Sequence, residues 1–132
     1  MFEISTTRRF SAAHQLRLYD GSMEPLHGHN WRVRVTVSAP QLDPIGVVMD
    51  FHALERLVDQ IIQPWHNGHL NETEAFRDLN PTAENVGVVI AGALRLPARV
   101  RLNSVEVWET DENRAIIRPA PRLDRRGPAR RA

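Results

Sequence analysis

The stretch Leu26-His27-Gly28-His29-Asn30-Trp31-Arg32-Val33-Arg34-Val35-Thr36-Val37 carries two periodicities of two, laid end to end. Val33, Val35 and Val37 fall on one face of an extended chain, which predicts a strand over Trp31–Val37 with one side toward a core. His27 and His29 precede it at the same spacing, so on a strand they project to one side about 7 Å apart along the backbone. Upstream, Phe10-Ser-Ala-Ala-His14 closes another strand-like run, Phe2–Ala13, and supplies a third imidazole. Structural zinc sites fill all four positions, whereas a three-nitrogen set leaves one open for water or substrate. The pattern therefore reads as a working zinc site on His14, His27 and His29, although three imidazoles also accept other divalent metals. The plain alternative is a surface strand that carries two solvated histidines.

Outward from these strands the chain alternates turns and amphipathic segments. Tyr19-Asp20-Gly21-Ser22 is a turn, and Ile45–Met49 predicts a third short strand ending at Asp50, a good N-cap. Leu54, Leu57, Val58, Ile61 and Ile62 then recur at helical spacing up to Pro64. Asn80-Pro81-Thr82 predicts a second N-terminus, with Asn80 as cap and Pro81 at the first helical position. Val86, Val89, Ile90, Ala93 and Leu94 form its apolar stripe. Arg101–Thr110 and Ala115–Arg118 are closing strands, joined by the turn Asp111-Glu112-Asn113. The expected order is β-β-β-α-α-β-β, an α+β fold in which an antiparallel sheet carries both helices on one face. Period two puts Glu109 with Val105 and Val107 on the apolar side. There it either reaches water at the strand end or anchors a ligand with two parallel N–H donors.

The 132 residues suffice for one domain with its own core, and 42% hydrophobic with 25% charged residues is ordinary for a globular chain. With no cysteine, disulfides and thiolate metal sites are excluded. No stretch approaches the ~20 apolar residues of a membrane helix, and the N-terminus lacks a signal-peptide pattern, so a cytoplasmic protein is expected. The net charge of +1 conceals an asymmetry: residues 119–132 hold five arginines against Asp124 alone. This Arg/Pro-rich tail is expected to be disordered, beside a folded domain over 1–118. The body, mildly acidic, shows no basic footprint, so nucleic-acid binding through the tail is the least favoured class.

Phe10-Ser-Ala-Ala-His14, Leu26-His27-Gly28-His29-Asn30, Val48-Met49-Asp50-Phe51, Leu70-Asn71, Pro81-Thr82-Ala83-Glu84-Asn85 and Val107-Trp108-Glu109-Thr110 together resemble the 6-pyruvoyltetrahydropterin / 6-carboxytetrahydropterin synthase family, in register from about residue 2 to 118. The resemblance implies a tunnelling-fold (T-fold) subunit whose sheets pair edge to edge into an oligomeric barrel. The usual assembly is a homo-hexamer, a dimer of trimers, with active sites between subunits. It further implies Zn²⁺ on His14, His27 and His29, and 7,8-dihydroneopterin triphosphate as substrate. Glu109 would anchor the pterin ring and Thr82 would line its pocket, unless the Thr82 hydroxyl only satisfies helix backbone. Arg8, Arg9, Arg32 and Arg34 are candidate triphosphate contacts.

The chain departs from the family's catalytic set. Many members carry a cysteine four residues before the H-x-H pair, and here Met23 stands there, a thioether that cannot take up a proton. The family's Leu-Asp-His-x-x-Leu-Asn segment reads Trp65-His66-Asn67-Gly68-His69-Leu70-Asn71, so His66 replaces the aspartate and Asn67 the histidine. Glu24, in Glu24-x-x-His27-Gly28-His29, resembles a branch in which glutamate takes over from cysteine and the product is 6-hydroxymethyl-7,8-dihydropterin, a folate precursor. His66 and His69 are the other candidate acid–base groups, although Asn67-Gly68 also reads as an ordinary surface turn. The leading expectation is a zinc-dependent lyase acting on the side chain of dihydroneopterin triphosphate. A 6-carboxytetrahydropterin synthase feeding deazapurine (queuosine) synthesis is its near neighbour, and a non-catalytic zinc- and pterin-binding paralogue the alternative.

Overall fold

The computed structural model describes residues 1–120; apart from Pro119 and Ala120, the arginine-rich tail lies outside the described residues. Two long strands dominate, β1 (Phe2–His14) and β2 (His27–Ala39), paired antiparallel from Phe2↔Ala39 to His14↔His27. After α1 (Phe51–Ile62) come a two-residue strand β3 (Gly68–His69), α2 (Ala83–Ala93), β4 (Arg101–Trp108) and β5 (Arg114–Ile117). The sheet order is β3-β1-β2-β4-β5, with β3 parallel to β1 and the other pairs antiparallel.

The period-two reading of β2 holds in three dimensions. Trp31, Val33, Val35 and Val37 are fully buried in one core with Leu54 and Val58 of α1 and Val86 and Ile90 of α2. Both helices therefore lie on one face of the sheet. Asp50 caps α1 by accepting from the Ala53 N–H at 3.0 Å. A single glycine sets how closely α2 approaches the sheet, since a Cβ on Gly87 would collide with the Ile117 side chain.

Several expectations need correcting. Residues 45–49 form no strand. Asp43 instead accepts from Ile45 N–H (3.0 Å) and Val47 N–H (3.2 Å), and Gly46 takes φ +89°, a conformation that turns the chain. The third strand is β3, after α1, so the order is β-β-α-β-α-β-β. Asn80 does not cap α2, because its side-chain amide is bonded both ways to the Arg17 backbone (2.8 and 3.0 Å). Thr82 takes the cap, its Oγ1 accepting from Asn85 N–H at 3.0 Å, which puts Pro81 outside the helix. Ala93 is exposed at the helix end rather than part of the stripe. Strand β2 reaches back to His27, absorbing the H-x-H pair, and β4 stops at Trp108, two residues short.

Candidate metal centre

Strand register builds the histidine cluster. His14 and His27 are directly opposed on β1 and β2, and His29 lies two residues along β2 from His27, so all three imidazoles project from the helix-facing side. Trp31 forms the floor, stacked edgewise at 5.0 Å from His14 and 5.8 Å from His29. Its indole N–H is tied to the Ala12 carbonyl at 3.2 Å. One potential ligand atom from each histidine falls within 4.8 Å of the others.

The hydrogen bonds behind the rings set which nitrogen faces the cluster. His14 Nδ1 lies 2.8 Å from the Pro81 carbonyl and His27 Nδ1 2.8 Å from the Pro25 carbonyl. A carbonyl can only accept, so each Nδ1 carries the proton and each neutral ring presents its lone pair at Nε2. The two Nε2 atoms stand 3.2 Å apart, where two lone pairs repel unless a cation lies between them. Ligands at about 2.0–2.1 Å on a tetrahedral ion are about 3.3 Å apart, which matches. His29 Nε2 is enclosed with no hydrogen-bond partner among the described residues. Burial holds its imidazole below the ordinary 6.5, against an opposing pull from the Glu109 carboxylate, and so favours the neutral, ligating form. The donor set thus fits a divalent metal.

Glu109, just past the end of β4, is neither sunk in the core nor free in water. Its Oε1 stands 3.0 Å from His14 Nε2 and 3.7 Å from His29 Nε2, with the side chain 31% exposed. Glu24 is held by the Leu16 N–H, which donates to Oε1 at 3.0 Å, and the same oxygen is 3.9 Å from His27 Nδ1. The loop that carries Glu24 is fixed by two asparagines: Asn71 bonds the Gln15 backbone both ways (2.9 and 2.7 Å) and Asn80 does the same at Arg17. Beside this loop lies a cavity of about 670 Å³ lined by Gln15, Leu16, Met23, Pro81 and Thr82 among others.

The remaining candidates are not gathered here. His66 Nδ1 accepts from the Ser11 N–H at 3.1 Å. His69 pairs with Ala13 in β3, which puts it on the opposite sheet face from His14, with Nδ1 3.5 Å from Glu72. Asn67 adopts φ +58°, the left-handed conformation asparagine tolerates in such a turn. Arg8 is held by Asp59, to which it donates through two bonds of 2.8 and 2.7 Å. That hydrogen bonding raises the pKa of the guanidinium further. Arg9, Arg32 and Arg34 alternate with core-facing residues and lie on the face away from the histidines. The carbonyls of Pro25 and Pro81 were not anticipated. The prolines after Glu24 and Asn80 were visible, but nothing in sequence says which carbonyl meets which ring.

The family profile described as 6-pyruvoyl tetrahydropterin synthase matches residues 3–120. The chain belongs to that family. It is similar to the 6-carboxy-5,6,7,8-tetrahydropterin synthase of Synechocystis sp., 35% identical over 76% of this chain and 81% of that one. It is also similar to the dihydroneopterin monophosphate aldolase of Pyrococcus furiosus, 34% identical over 78% and 85%. Among solved structures, Caenorhabditis elegans 6-pyruvoyl tetrahydropterin synthase shares the fold, with TM-score 0.77 and 23% identity over 90% of this chain and 96% of that one. The T-fold expectation, a five-stranded sheet with two helices, stands. No helix among the described residues is long and apolar enough to cross a membrane.

Proposed function

We propose that the chain is a zinc-dependent lyase that cleaves the side chain of a phosphorylated 7,8-dihydroneopterin. The observation that carries this reading is the pair of Nε2 atoms 3.2 Å apart, locked in their ligating tautomer by Pro25 and Pro81 and flanked by two glutamates. His14, His27 and His29 would hold the zinc, which when bound supplies Lewis-acid polarisation of the substrate's side-chain hydroxyls at its open position.

The chain's own groups divide the remaining work. Glu109 accepts paired N–H donors of the pterin ring, placing the side chain over the histidines. Glu24, fixed by Leu16 and next in the chain to Met23, takes the proton. With glutamate as base and no cysteine, the expected outcome is retro-aldol cleavage: the proton leaves the C2′ hydroxyl, the C1′–C2′ bond breaks, the two-carbon phosphorylated aldehyde departs, and C1′ takes back a proton to give 6-hydroxymethyl-7,8-dihydropterin. The relative named as an aldolase acts, by its name, on dihydroneopterin monophosphate, so both phosphorylation states are substrates to try. His66 and His69 lie away from their own triad, so a proton-relay role for either would require the site of a neighbouring subunit.

A second reading, a zinc- and pterin-binding paralogue without turnover, is favoured by one observation: neither His66 nor His69 reaches the triad of its own chain. Incubating zinc-loaded protein with dihydroneopterin triphosphate or monophosphate, and identifying products by mass spectrometry, separates the two. The 6-hydroxymethyl product, lost in Glu24→Gln by about 10²–10⁴ in kcat with little change in KM, supports the lyase. Tight pterin binding without product, unchanged in Glu24→Gln, supports the paralogue and refutes the lyase.

A further inference from the structure

Strand pairing draws residues that are distant in sequence into one transverse row on the sheet face away from the helices. Arg9 is opposite Arg32, Arg32 opposite Trp108, and Trp108 opposite Arg114. Arg34 stands one pleat along β2, opposite Glu106. The three guanidinium groups of Arg32, Arg34 and Arg114 surround the Trp108 ring at 4.2, 5.2 and 5.6 Å from its centroid. Glu106, the one carboxylate paired within the cluster among the described residues, is already committed to Arg114 (2.7 Å) and Arg34 (3.8 Å).

Arg9 and Arg32 are therefore like charges directly opposed across two strands, an arrangement that destabilises a sheet. Neither makes an ion pair with the described residues. Arg32 Nε is enclosed and finds no acceptor among them, while stacking on Trp108 holds its planar fork in place.

We propose that this row is a binding site for a polyphosphate-type anion, separate from the histidine cluster on the other face. Guanidinium forks suit phosphate oxygens bidentately. Four strands set the row at about 14 Å, which favours a chain of phosphates over a single one. Single-stranded nucleic acid fits less well, because Trp108 is only 8% exposed and its covered ring offers no platform for a base. The anion is either free or the phosphate tail of a pterin substrate, as proposed above, held by the histidines of a neighbouring chain, a distinction the test makes.

Calorimetric titration of the full chain with inorganic tripolyphosphate tests the site without any pterin. Expected is micromolar binding that weakens with salt and falls about tenfold in each of Arg9→Gln and Arg32→Gln, with Arg56→Gln, at an exposed position of α1, as an unaffected control. Arg9 is exposed, so its variant stays informative if Arg32→Gln disturbs Trp108. Absence of binding, or binding equal in Arg9→Gln and the unaltered chain, overturns the proposal. Given binding, a raised KM for phosphorylated pterin in Arg9→Gln identifies the anion as the substrate tail. An unchanged KM identifies a free anion, and either result leaves the lyase reading to its own assay.

Discussion

Replacing His27 by alanine separates metal binding from folding, because the three histidines differ sharply in burial. The His14 side chain is 1% exposed and His27 41%. Removing the His27 ring opens no cavity and loses one solvent-accessible bond to Pro25, so metal-free stability should change by no more than about 1 kcal/mol. Metal that binds only the folded state adds about 2.7 kcal/mol at a free concentration a hundredfold above Kd. For a domain of this size the unfolding entropy is about 0.25 kcal/mol/K, so zinc should raise Tm by about 10 °C. Differential scanning calorimetry of the metal-free chain, titrated with zinc, should show that shift, and His27→Ala should abolish it while keeping its metal-free Tm. His14→Ala should instead lower the metal-free Tm, since it empties a buried site and leaves the Pro81 carbonyl unpaired. A zinc shift of equal size in His27→Ala, or no shift in the unaltered chain, would refute the assignment of the three Nε2 atoms to one ion.

Two more outcomes follow from single groups. Burial lowers the His29 pKa below 6.5, so as pH falls from 6.5 the unfolded chain takes up the proton first and the metal-free protein loses stability, until the lowered value is passed; urea midpoints between pH 8 and 5 should fall more for the unaltered chain than for His29→Asn. Thr82→Ala should cost about 1 kcal/mol through loss of the α2 cap, with Thr82→Ser restoring it; a loss of pterin affinity at unchanged urea midpoint would show instead that the hydroxyl serves the ligand.

Local pattern decided much of this protein. Alternation in Arg32–Val37 fixed which face of β2 is buried, and helical spacing from Leu54 to Ile62 fixed α1, since each depends only on a residue and its near neighbours. The same periodicity put His27 and His29 on one side and Glu109 with Val105 and Val107. What needed the tertiary structure was everything set by a partner elsewhere in the chain. Ile45–Met49 has a strand's composition, yet the Asp43 side chain and Gly46 bend it away from any neighbour. Asn80 has a cap's identity but is committed to Arg17, sixty-three residues away in sequence, which leaves Thr82 to start the helix. The tautomers of His14 and His27 rest on two proline carbonyls that no spacing rule connects to them. Arg9, Arg32, Arg34 and Arg114 form no basic run in the sequence. They become one charged row because strand register, a long-range property of hydrogen-bond pairing and core burial, sets them side by side.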